Sequence, residues 1–274
     1  MPIIAITREM GSLGKDVASG LGEALGLPVV YTEVIDQLAD KMRVRKSHVI
    51  RLLDGSAGFL EQLTADKTSM SIFTADEILG VAAKGKGAVI RGWGATHLLR
   101  EVPHALCVRV CAPFELRKRR MMERLATDEE TRVADEIRVN DEAHGAIMRR
   151  HFQLEWTQPE HYDLVLNTKR VSVAECVAEV LALVRSPQFV ETERSRAMLG
   201  DLALSARVRA ALRRAPETRD AAVQVHAEAG RVTLSGADST DEMLAFVEVA
   251  SAVPGVRDVA YRTDPGAEVR PRFH

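Results

Sequence analysis

The sequence contains few aromatic residues and few cysteines, and each scarcity limits what the protein can be. Aromatic residues make up 4% of the 274 positions. Base stacking, which supports single-stranded nucleic-acid binding, would depend on very few side chains, with Trp93 and Trp156 as candidates. We expect Trp156 to pack in the core instead. The three cysteines, Cys107, Cys111 and Cys176, form neither a C-x-x-C pair nor a disulfide framework. We therefore expect buried thiols in a reducing compartment.

The chain also lacks an excess of charge and any long apolar run. A formal net charge of -2 gives no general attraction for nucleic acid or an anionic membrane. No segment approaches membrane-spanning length, and the start "PIIAIT" lacks the basic and apolar regions of a signal peptide. The basic stretch 45–55 has no interleaved aromatics, so we interpret it as a solvated helix and not as a nucleic-acid patch. We expect a cytoplasmic protein with no transmembrane segment and no nucleic-acid partner.

Several catalytic motifs are missing as well. The sequence has no H-E-x-x-H, no Cys/His cluster with metal-ligand spacing and no G-x-S-x-G elbow. Zinc hydrolases and serine hydrolases therefore find no support, and we predict no protein metal site.

What the sequence does contain is an alternation of short apolar runs and longer amphipathic ones over residues 1–187. Such alternation is typical of helices that cross over a parallel sheet. The strand candidates are "PIIAIT", "LPVVY", "GAVIRG", "ALCVRVCA" and "YDLVLNT". We predict an α/β fold of three layers with a parallel sheet in the middle.

A second pattern follows an aperiodic linker at 188–198. Residues 199–264 read as helix, hairpin, helix and strand, and residues 265–274 as a flexible tail. Leu204, Val208 and Leu212 make a helical stripe, and Ser239 with Glu242 forms a capping box. We predict a small α-β-β-α-β domain.

The stretch "TREMGSLGKDVA" lies between the first strand and a helix. Phosphate-binding loops surround phosphate oxygens with backbone N–H groups at a helix N-terminus, and glycine permits the close approach. The candidate phosphate-binding residues are Gly11, Ser12, Leu13, Gly14, Lys15 and Asp16. The strict pattern would have Gly in place of Glu9 and Ser or Thr in place of Asp16. The alternative is a glycine turn with a solvated Lys15; a carboxylate at Asp16 either takes the metal or repels phosphate.

A group of arginines follows the strand "ALCVRVCA". Arg117, Arg120 and Arg124 share one helical face by their spacing, and Arg149 and Arg150 follow further on. Arginines at the carboxyl end of a parallel strand favour bidentate recognition of phosphate. The alternative is a solvated face paired with neighbouring acids. Taken together with the glycine loop, the pattern favours phosphate.

These residues resemble the cytidylate-kinase-like family of P-loop nucleoside monophosphate kinases, from about Ile3 to Val184. The matching stretches are "ITREMGSLGKDVA", "AVIRGWGATHLLRE", "VRVCAPFELRKRRMMER" and "HFQLEWTQPEHYDLVLNT". The resemblance implies a three-layer P-loop NTPase core, a mobile arginine-bearing lid, ATP with Mg²⁺ as donor, and a nucleoside monophosphate, CMP or dCMP, as acceptor. It implies catalytic roles for Lys15, Arg117, Arg120 and Arg124. It also implies acceptor-side roles for Arg91, Asp141, Arg149 and Arg150.

The sequence departs from that family at two places. Gly92-Trp93-Gly94 stands where the family has Gly-Arg-Gly, with Arg91 one residue earlier. His144 stands where an arginine usually follows the aspartate matched by Asp141. A neutral histidine cannot reproduce the guanidinium fork. We interpret His144 as a surface helix residue, with a catalytic role as the alternative.

The C-terminal part resembles a BON domain, through "GRVTLSG" and "VPGV" with Gly236 and Gly255. Such domains are associated with phospholipid or protein contacts, and we expect a regulatory or docking module. Three functions stay open. The first is a kinase that phosphorylates a nucleoside monophosphate. The second is a weakened nucleotide sensor that signals through the BON-like domain, and the third is a lipid or protein docking factor.

Overall fold

The computed structural model describes residues 1–31, 42, 67–92, 94–152, 154–237 and 239–262. The chain divides into two units, Met1–Arg196 and Ala197–His274. The division falls inside the predicted linker 188–198. The predicted solvated helix 45–55, Trp93 and the predicted tail 265–274 lie outside the described residues.

The first unit is built on a five-stranded parallel sheet. Its strands are β1 (Ile3–Arg8), β2 (Val29–Val30), β3 (Ala88–Arg91), β4 (Ala105–Cys111) and β5 (Leu164–Asn167). Their order in the sheet is β2-β3-β1-β4-β5, and β1 pairs with both β3 and β4. Four strands fall within a predicted run and β1 extends one residue past its run, to Arg8, so the predicted α/β fold is confirmed. The central strands are apolar almost throughout because helices cover both faces of the sheet.

Helices alternate with these strands. They are α1 (Gly14–Leu25), α2 (Lys67–Ala82), α3 (Ala95–Leu99), α4 (Phe114–Leu125), α5 (Glu130–Phe152) and α6 (Val173–Val184), with short 3₁₀ turns at Pro159–His161 and Pro187–Phe189. On one face, Val17 of α1 and Val180 of α6 pack with Val108 of β4. Cys107 points to the other face, where its Sγ donates a hydrogen bond to the Thr96 carbonyl of α3. The sheet is therefore the middle of three layers.

The cysteines lie in the first unit. Cys107 and Cys176 are buried and Cys111 is half-buried, all with free thiols. Burial raises the pKa of the Cys107 thiol to about 12, because a thiolate is poorly solvated among apolar neighbours. Cys107 and Cys176 are therefore buried as expected, whereas Cys111 is only half-buried.

The second unit contains most of α7 (Glu193–Arg214), whose first four residues belong to the first unit, together with β6 (Gln224–Glu228), β7 (Arg231–Ser235), α8 (Thr240–Ser251) and β8 (Asp258–Tyr261). β6 and β7 form an antiparallel hairpin, and β8 joins β7 in parallel. Leu204, Leu212, Val232 and Phe246 meet in one buried cluster. The predicted α-β-β-α-β order is confirmed.

Helix α7 begins earlier than the apolar periodicity indicated. The Thr192 N–H donates to Ser195 Oγ, and the Ser195 N–H donates to Thr192 Oγ1 at 3.1 Å. These reciprocal bonds satisfy backbone donors at the start of the helix. A polar capping signal therefore opens α7 in a stretch where the hydrophobic pattern is absent. Among the described helices, none combines the length and the apolar character needed to cross a membrane.

Candidate functional site

The loop between β1 and α1 forms a set of free backbone donors. No described residue accepts a hydrogen bond from the N–H groups of Gly11, Leu13, Gly14 and Lys15, whereas the Ser12 N–H donates to the Glu9 carbonyl at 3.1 Å. The 12-residue helix α1 starts at Gly14, so the positive end of its dipole lies at the loop. Free donors at a helix N-terminus make an anion site.

Two positive φ angles fold this loop. Leu13 has φ 62° and Gly11 has φ 79°. A Cβ at position 11 would lie 2.8 Å from the backbone oxygen of Arg117. A Cβ at position 14 would lie 2.5 Å from Cβ of Arg8. Glycine is therefore required at both positions that the phosphate-loop prediction used, by a neighbouring backbone oxygen at Gly11 and by the side chain of Arg8 at Gly14.

Glu9 fixes the base of the loop. Its carboxylate accepts hydrogen bonds from Arg109 Nη2 at 2.6 Å and from the Ala112 N–H at 3.1 Å, and Arg117 Nε lies 3.4 Å from Glu9 Oε2. The side chains of Glu9, Arg109 and Arg117 are 13%, 9% and 7% exposed. Glu9 thus replaces the first glycine of the strict pattern with a buried ionic anchor.

Arg117 and Asp141, both predicted site residues, meet directly. Arg117 Nη2 donates to Asp141 Oδ2 at 2.8 Å, while its Nη1 donates to the Met10 carbonyl and its Nε to the Ala112 carbonyl. The guanidinium therefore connects the loop to α5. Asp141 Oδ1 is buried and has no hydrogen-bond partner among the described residues, which leaves it available to a ligand.

Arg120 holds the other side of the loop through Thr168. Its two terminal nitrogens donate to Thr168 Oγ1 at 2.9 Å and to the Thr168 carbonyl at 2.8 Å. Thr168 Oγ1 donates in turn to the Ser12 carbonyl at 2.8 Å. The Ser12 hydroxyl is buried without a partner among the described residues.

Lys15 and Asp16 are exposed in the first turn of α1. Neither side chain forms an ion pair with a described residue, so the Lys15 ammonium is available beside the free backbone donors. Arg124 is exposed in the last turn of α4. The exposed Arg149 pairs with Glu155 at 3.1 Å. The Arg150 side chain lies outside the described residues.

A small pocket, here called the β1–β3 pocket, opens where β1 and β3 end. It has a volume of about 30 Å³ and is lined by Thr7, Arg8, Tyr31, Arg91, Gly92, Asn140 and His144. Arg91, predicted on the acceptor side, lies with its guanidinium carbon 4.0 Å from the centre of the Tyr31 ring. The structure therefore places Arg91 at the carboxyl edge of the sheet, next to the loop.

The interpretation of His144 as a surface residue is wrong. His144 is 9% exposed and stacks on Trp156, with ring centres 4.1 Å apart and an interplanar angle of 8°. Arg109 covers Trp156 at 5.1 Å. Burial, then the charges of Arg8 and Arg109, lower the pKa of His144 to about 3. Trp156 is 3% exposed, as its predicted core role requires, and its ring gives the neutral imidazole an aromatic face to pack against.

Sequence reasoning missed Glu9, Arg8 and Thr168 as parts of the site. Glu9 was visible only as a departure from the strict loop pattern. The signal for its role is Arg109, a charged residue in the otherwise apolar run "ALCVRVCA". A charge inside a buried strand needs a partner, and a buried partner implies a carboxylate nearby.

The comparisons with known proteins agree with this geometry. The sheet order and the glycine loop between β1 and α1 define the first unit as an α/β protein of the P-loop kinase-like class. The model of the cytidylate kinase-like family matches residues 3–170, and the chain belongs to that family. The model of the BON domain matches residues 200–263. No curated protein matches the sequence.

Similar solved structures are distant in sequence. An uncharacterised protein from Eubacterium ventriosum is 22% identical with a TM-score of 0.54, covering 67% of this chain and 97% of that chain. A shikimate kinase from Bacteroides thetaiotaomicron is 14% identical with a TM-score of 0.41, covering 68% and 99%. A shikimate kinase from Acinetobacter baumannii is 16% identical with a TM-score of 0.40, covering 67% and 93%. At these identities the likeness to the first structure concerns the fold alone.

Proposed function

We propose that the first unit transfers a phosphoryl group from ATP to a nucleoside monophosphate, with CMP or dCMP as the acceptor. The observation that carries the proposal is the set of free N–H groups at Gly11, Leu13, Gly14 and Lys15, at the start of α1. Membership of the cytidylate kinase-like family supports the reaction class. The acceptor identity comes from the sequence resemblance.

The loop fits the phosphates of a nucleoside triphosphate. Gly11 and Gly14 keep the loop clear of Cβ atoms, and the exposed Lys15 adds a cation beside the backbone donors. In such a site catalysis comes from positioning and from neutralising charge on the transferring group. The bond between the γ-phosphorus and the bridging oxygen breaks as an acceptor phosphate oxygen bonds to that phosphorus, and the products are a nucleoside diphosphate and ADP.

Mg²⁺ fits the same loop through Asp16. Within the described residues no three His, Cys, Asp or Glu side chains gather into a metal-binding group, but Mg²⁺ commonly takes one or two carboxylates together with substrate phosphates. Asp16, exposed in the first turn of α1, would be the protein ligand. The ion would neutralise charge on the donor phosphates.

The predicted site arginines lie in different surroundings, and we assign their roles accordingly. Arg117 and Arg120 hold the loop through the carbonyls of Met10 and Thr168, so we assign them positioning roles. We assign Arg91, which lines the β1–β3 pocket, and Asp141, with its unpartnered Oδ1, to the acceptor side. Arg124, Arg149 and Arg150 stay lid or acceptor candidates from the resemblance. No general base is needed because the acceptor phosphate is already anionic.

A coupled ATP-consumption assay tests the proposal. The protein is supplied with Mg²⁺-ATP and, in separate reactions, each of the four common nucleoside monophosphates and dCMP, with Lys15→Ala as the inactive reference. We expect turnover with CMP or dCMP that exceeds the variant by at least about a hundredfold, since one charged contact to the transition state is worth that order. No turnover above the variant with any acceptor would refute a kinase.

Asp16 favours a second candidate, a nucleotide sensor with weakened transfer. Phosphate-binding loops normally carry a hydroxyl at this position, and a carboxylate also repels the donor phosphates. Asp16→Ser distinguishes the two candidates. A variant that transfers phosphate faster than the natural chain would indicate a weakened kinase. A variant that no longer binds ATP would indicate that the carboxylate holds the metal.

For the second unit we propose a docking role toward protein or phospholipid, since its sequence matches the BON domain. Sedimentation of the full chain with anionic vesicles, with and without ATP, tests the lipid alternative. Co-sedimentation that changes with ATP would support signalling between nucleotide binding and docking. An unchanged supernatant in both conditions would leave protein docking as the proposal.

A further inference from the structure

Thr168 directly follows β5 and connects three elements around the phosphate loop. It is 4% exposed, and its N–H donates to the Cys111 carbonyl of β4 at 3.0 Å. Its carbonyl accepts a hydrogen bond from Arg120 of α4, and its hydroxyl donates to the Ser12 carbonyl of the loop. Since β4 and α4 hold the backbone of Thr168, its hydroxyl meets the loop from a fixed position.

Arg120 determines the direction in which the Thr168 hydroxyl donates. A hydroxyl has one hydrogen to donate, whereas a guanidinium donates only. Arg120 Nη1 donates to Thr168 Oγ1 at 2.9 Å. The single hydroxyl hydrogen is therefore left for the Ser12 carbonyl, 2.8 Å away. The charged donor also polarises the hydroxyl, which strengthens the bond to Ser12.

This hydrogen bond orients the whole peptide unit between Ser12 and Leu13. None of the described peptide bonds is cis, so the carbonyl and the N–H of this unit point in opposite directions. The Ser12 carbonyl faces Thr168. The Leu13 N–H therefore points away from Thr168, as one of the free donors that form the anion site.

Leu13 has an unfavourable backbone conformation in this orientation. Its φ angle is 62°, in the left-handed region where Cβ comes too close to a carbonyl oxygen. The N–H groups of Asp16 and Val17 donate to the Leu13 carbonyl, both at 3.0 Å, so α1 fixes the peptide unit that follows Leu13. A half-turn of the preceding unit would take φ out of the left-handed region. It would also turn the partially negative Ser12 oxygen toward the anion site.

We propose that Thr168 is a positioning residue for phosphoryl transfer. Its hydroxyl, oriented by Arg120, holds the Ser12–Leu13 peptide unit so that the Leu13 N–H is directed toward the donor phosphates. The inference rests on the proposed phosphoryl transfer and deepens it, because it names a residue that prepares the loop without touching the substrate. Without the hydroxyl, relief of the strain at Leu13 favours the turned peptide, and the site loses a donor and gains a repulsive oxygen.

Calorimetric titration of Mg²⁺-ATP into the full chain and its variants tests the proposal. The variants are Thr168→Val, Thr168→Ser, Leu13→Gly and the double variant Thr168→Val with Leu13→Gly. Valine keeps the shape of threonine without the hydroxyl, serine keeps the hydroxyl, and glycine adopts a left-handed φ without strain. The control is Thr233→Val, at a half-buried threonine in β7 of the second unit.

We expect Thr168→Val to bind ATP about tenfold more weakly than the natural chain, since the loop then loses a hydrogen bond to phosphate. Thr168→Ser should restore most of the affinity, because it retains the hydroxyl. In the Leu13→Gly chain, Thr168→Val should weaken binding by no more than about threefold, because glycine does not favour the turned peptide. Thr233→Val should bind ATP as the natural chain does.

An amide signal tests the same point in the natural chain, whether or not Thr168→Val folds in urea denaturation. In protein labelled with ¹⁵N-leucine, the Leu13 amide is assigned by its loss in Leu13→Gly. Its proton resonance should move downfield when Mg²⁺-ADP binds, because the N–H then donates to a phosphate oxygen.

Three results would overturn the inference and leave the kinase proposal standing. They are equal ATP affinity in Thr168→Val and the natural chain, an equal loss on Thr168→Val with leucine or glycine at position 13, and a Leu13 amide that does not move when nucleotide binds. An equal loss in both chains would show a purely structural role. No ATP binding by the natural chain would refute the phosphate loop itself, and this inference with it.

Discussion

Replacement of Glu9 by glutamine tests whether the loop is held by a buried charge. Glu9 takes hydrogen bonds from Arg109 and from the Ala112 N–H, and it lies 3.4 Å from Arg117 Nε. Glutamine keeps the volume of the side chain and one acceptor oxygen, but it removes the negative charge. Two guanidinium groups that are at most 9% exposed then lose their shared counter-charge.

The magnitude follows from what each arginine keeps. Removal of one partner from a buried ion pair typically costs 3–5 kcal/mol, roughly, in unfolding free energy. Arg117 keeps Asp141, and Arg109 keeps the Thr157 carbonyl at 2.7 Å. Because these contacts remain, we expect Glu9→Gln to lose about 3 kcal/mol of unfolding free energy, the lower end of that range.

Urea denaturation followed by tryptophan emission measures this loss. Both tryptophans of the chain, Trp93 and Trp156, fall in the first unit. The matched control is Glu101→Gln, because Glu101 is 67% exposed in its pair with Arg100 and should cost no more than about 0.5 kcal/mol. A Glu9→Gln loss below about 1 kcal/mol, or equal to the control, would refute the buried anchor.

Three further predictions concern other parts of the chain. Gly11→Ala should weaken ATP binding at least about tenfold, because a Cβ there meets a backbone oxygen at 2.8 Å. The control is Gly26→Ala, where φ is 63° and no atom lies near the added Cβ. This control should lose only about 1–2 kcal/mol of unfolding free energy and bind ATP as the natural chain does. His144 has a pKa of about 3 in the folded chain against 6.5 unfolded, so stability is lost as pH falls below 6.5. When the pH falls from 6.5 to 4.5, the free energy of unfolding measured by urea denaturation should decrease by about 2–3 kcal/mol less in His144→Phe than in the natural chain. Equal decreases in the two proteins would contradict the burial of His144. Phe246→Ala should destabilise the second unit by about 3–5 kcal/mol in calorimetric unfolding, whereas Leu244→Ala, 57% exposed, should cost less than about 1 kcal/mol.

Strands and the loop were readable from the sequence because local patterns determine them. Strands β1 and β4 can be recognised in the sequence as apolar runs. Gly11 and Gly14 indicate close packing around the loop: a Cβ would lie 2.8 Å from a backbone oxygen at position 11 and 2.5 Å from the Arg8 side chain at position 14. The α-β-β-α-β order of the second unit likewise follows from short-range periodicity and turns.

The ion pairs and hydrogen bonds that hold the loop could not be predicted from the sequence, since their partners are far apart in it. Glu9 meets Arg109 across 100 positions, and Arg120 reaches Thr168 across 48. Helical spacing grouped Arg117 with Arg120 and Arg124, yet burial separates them. Spacing gives the face of a helix, but only packing decides whether that face meets solvent, a carbonyl or a carboxylate.

The burial of His144 could not be predicted either, because it depends on a residue outside its helix. A polar residue in a long charged helix favours an exposed position, but Trp156 supplies an aromatic surface that makes burial of the neutral ring favourable. Trp156 lies 12 positions away, beyond the end of α5, so no local pattern in the helix contains it.

Calorimetric titration of Mg²⁺-ATP into the natural chain and into Lys15→Ala tests the central claim most directly. The free N–H groups at the start of α1 together with the unpaired Lys15 ammonium should bind the triphosphate. Removal of the ammonium should weaken binding at least about tenfold, since a charged hydrogen bond contributes about 1.5–3 kcal/mol. Equal affinities in the two proteins, or no heat of binding in the natural chain, would contradict the assignment of this loop to phosphate.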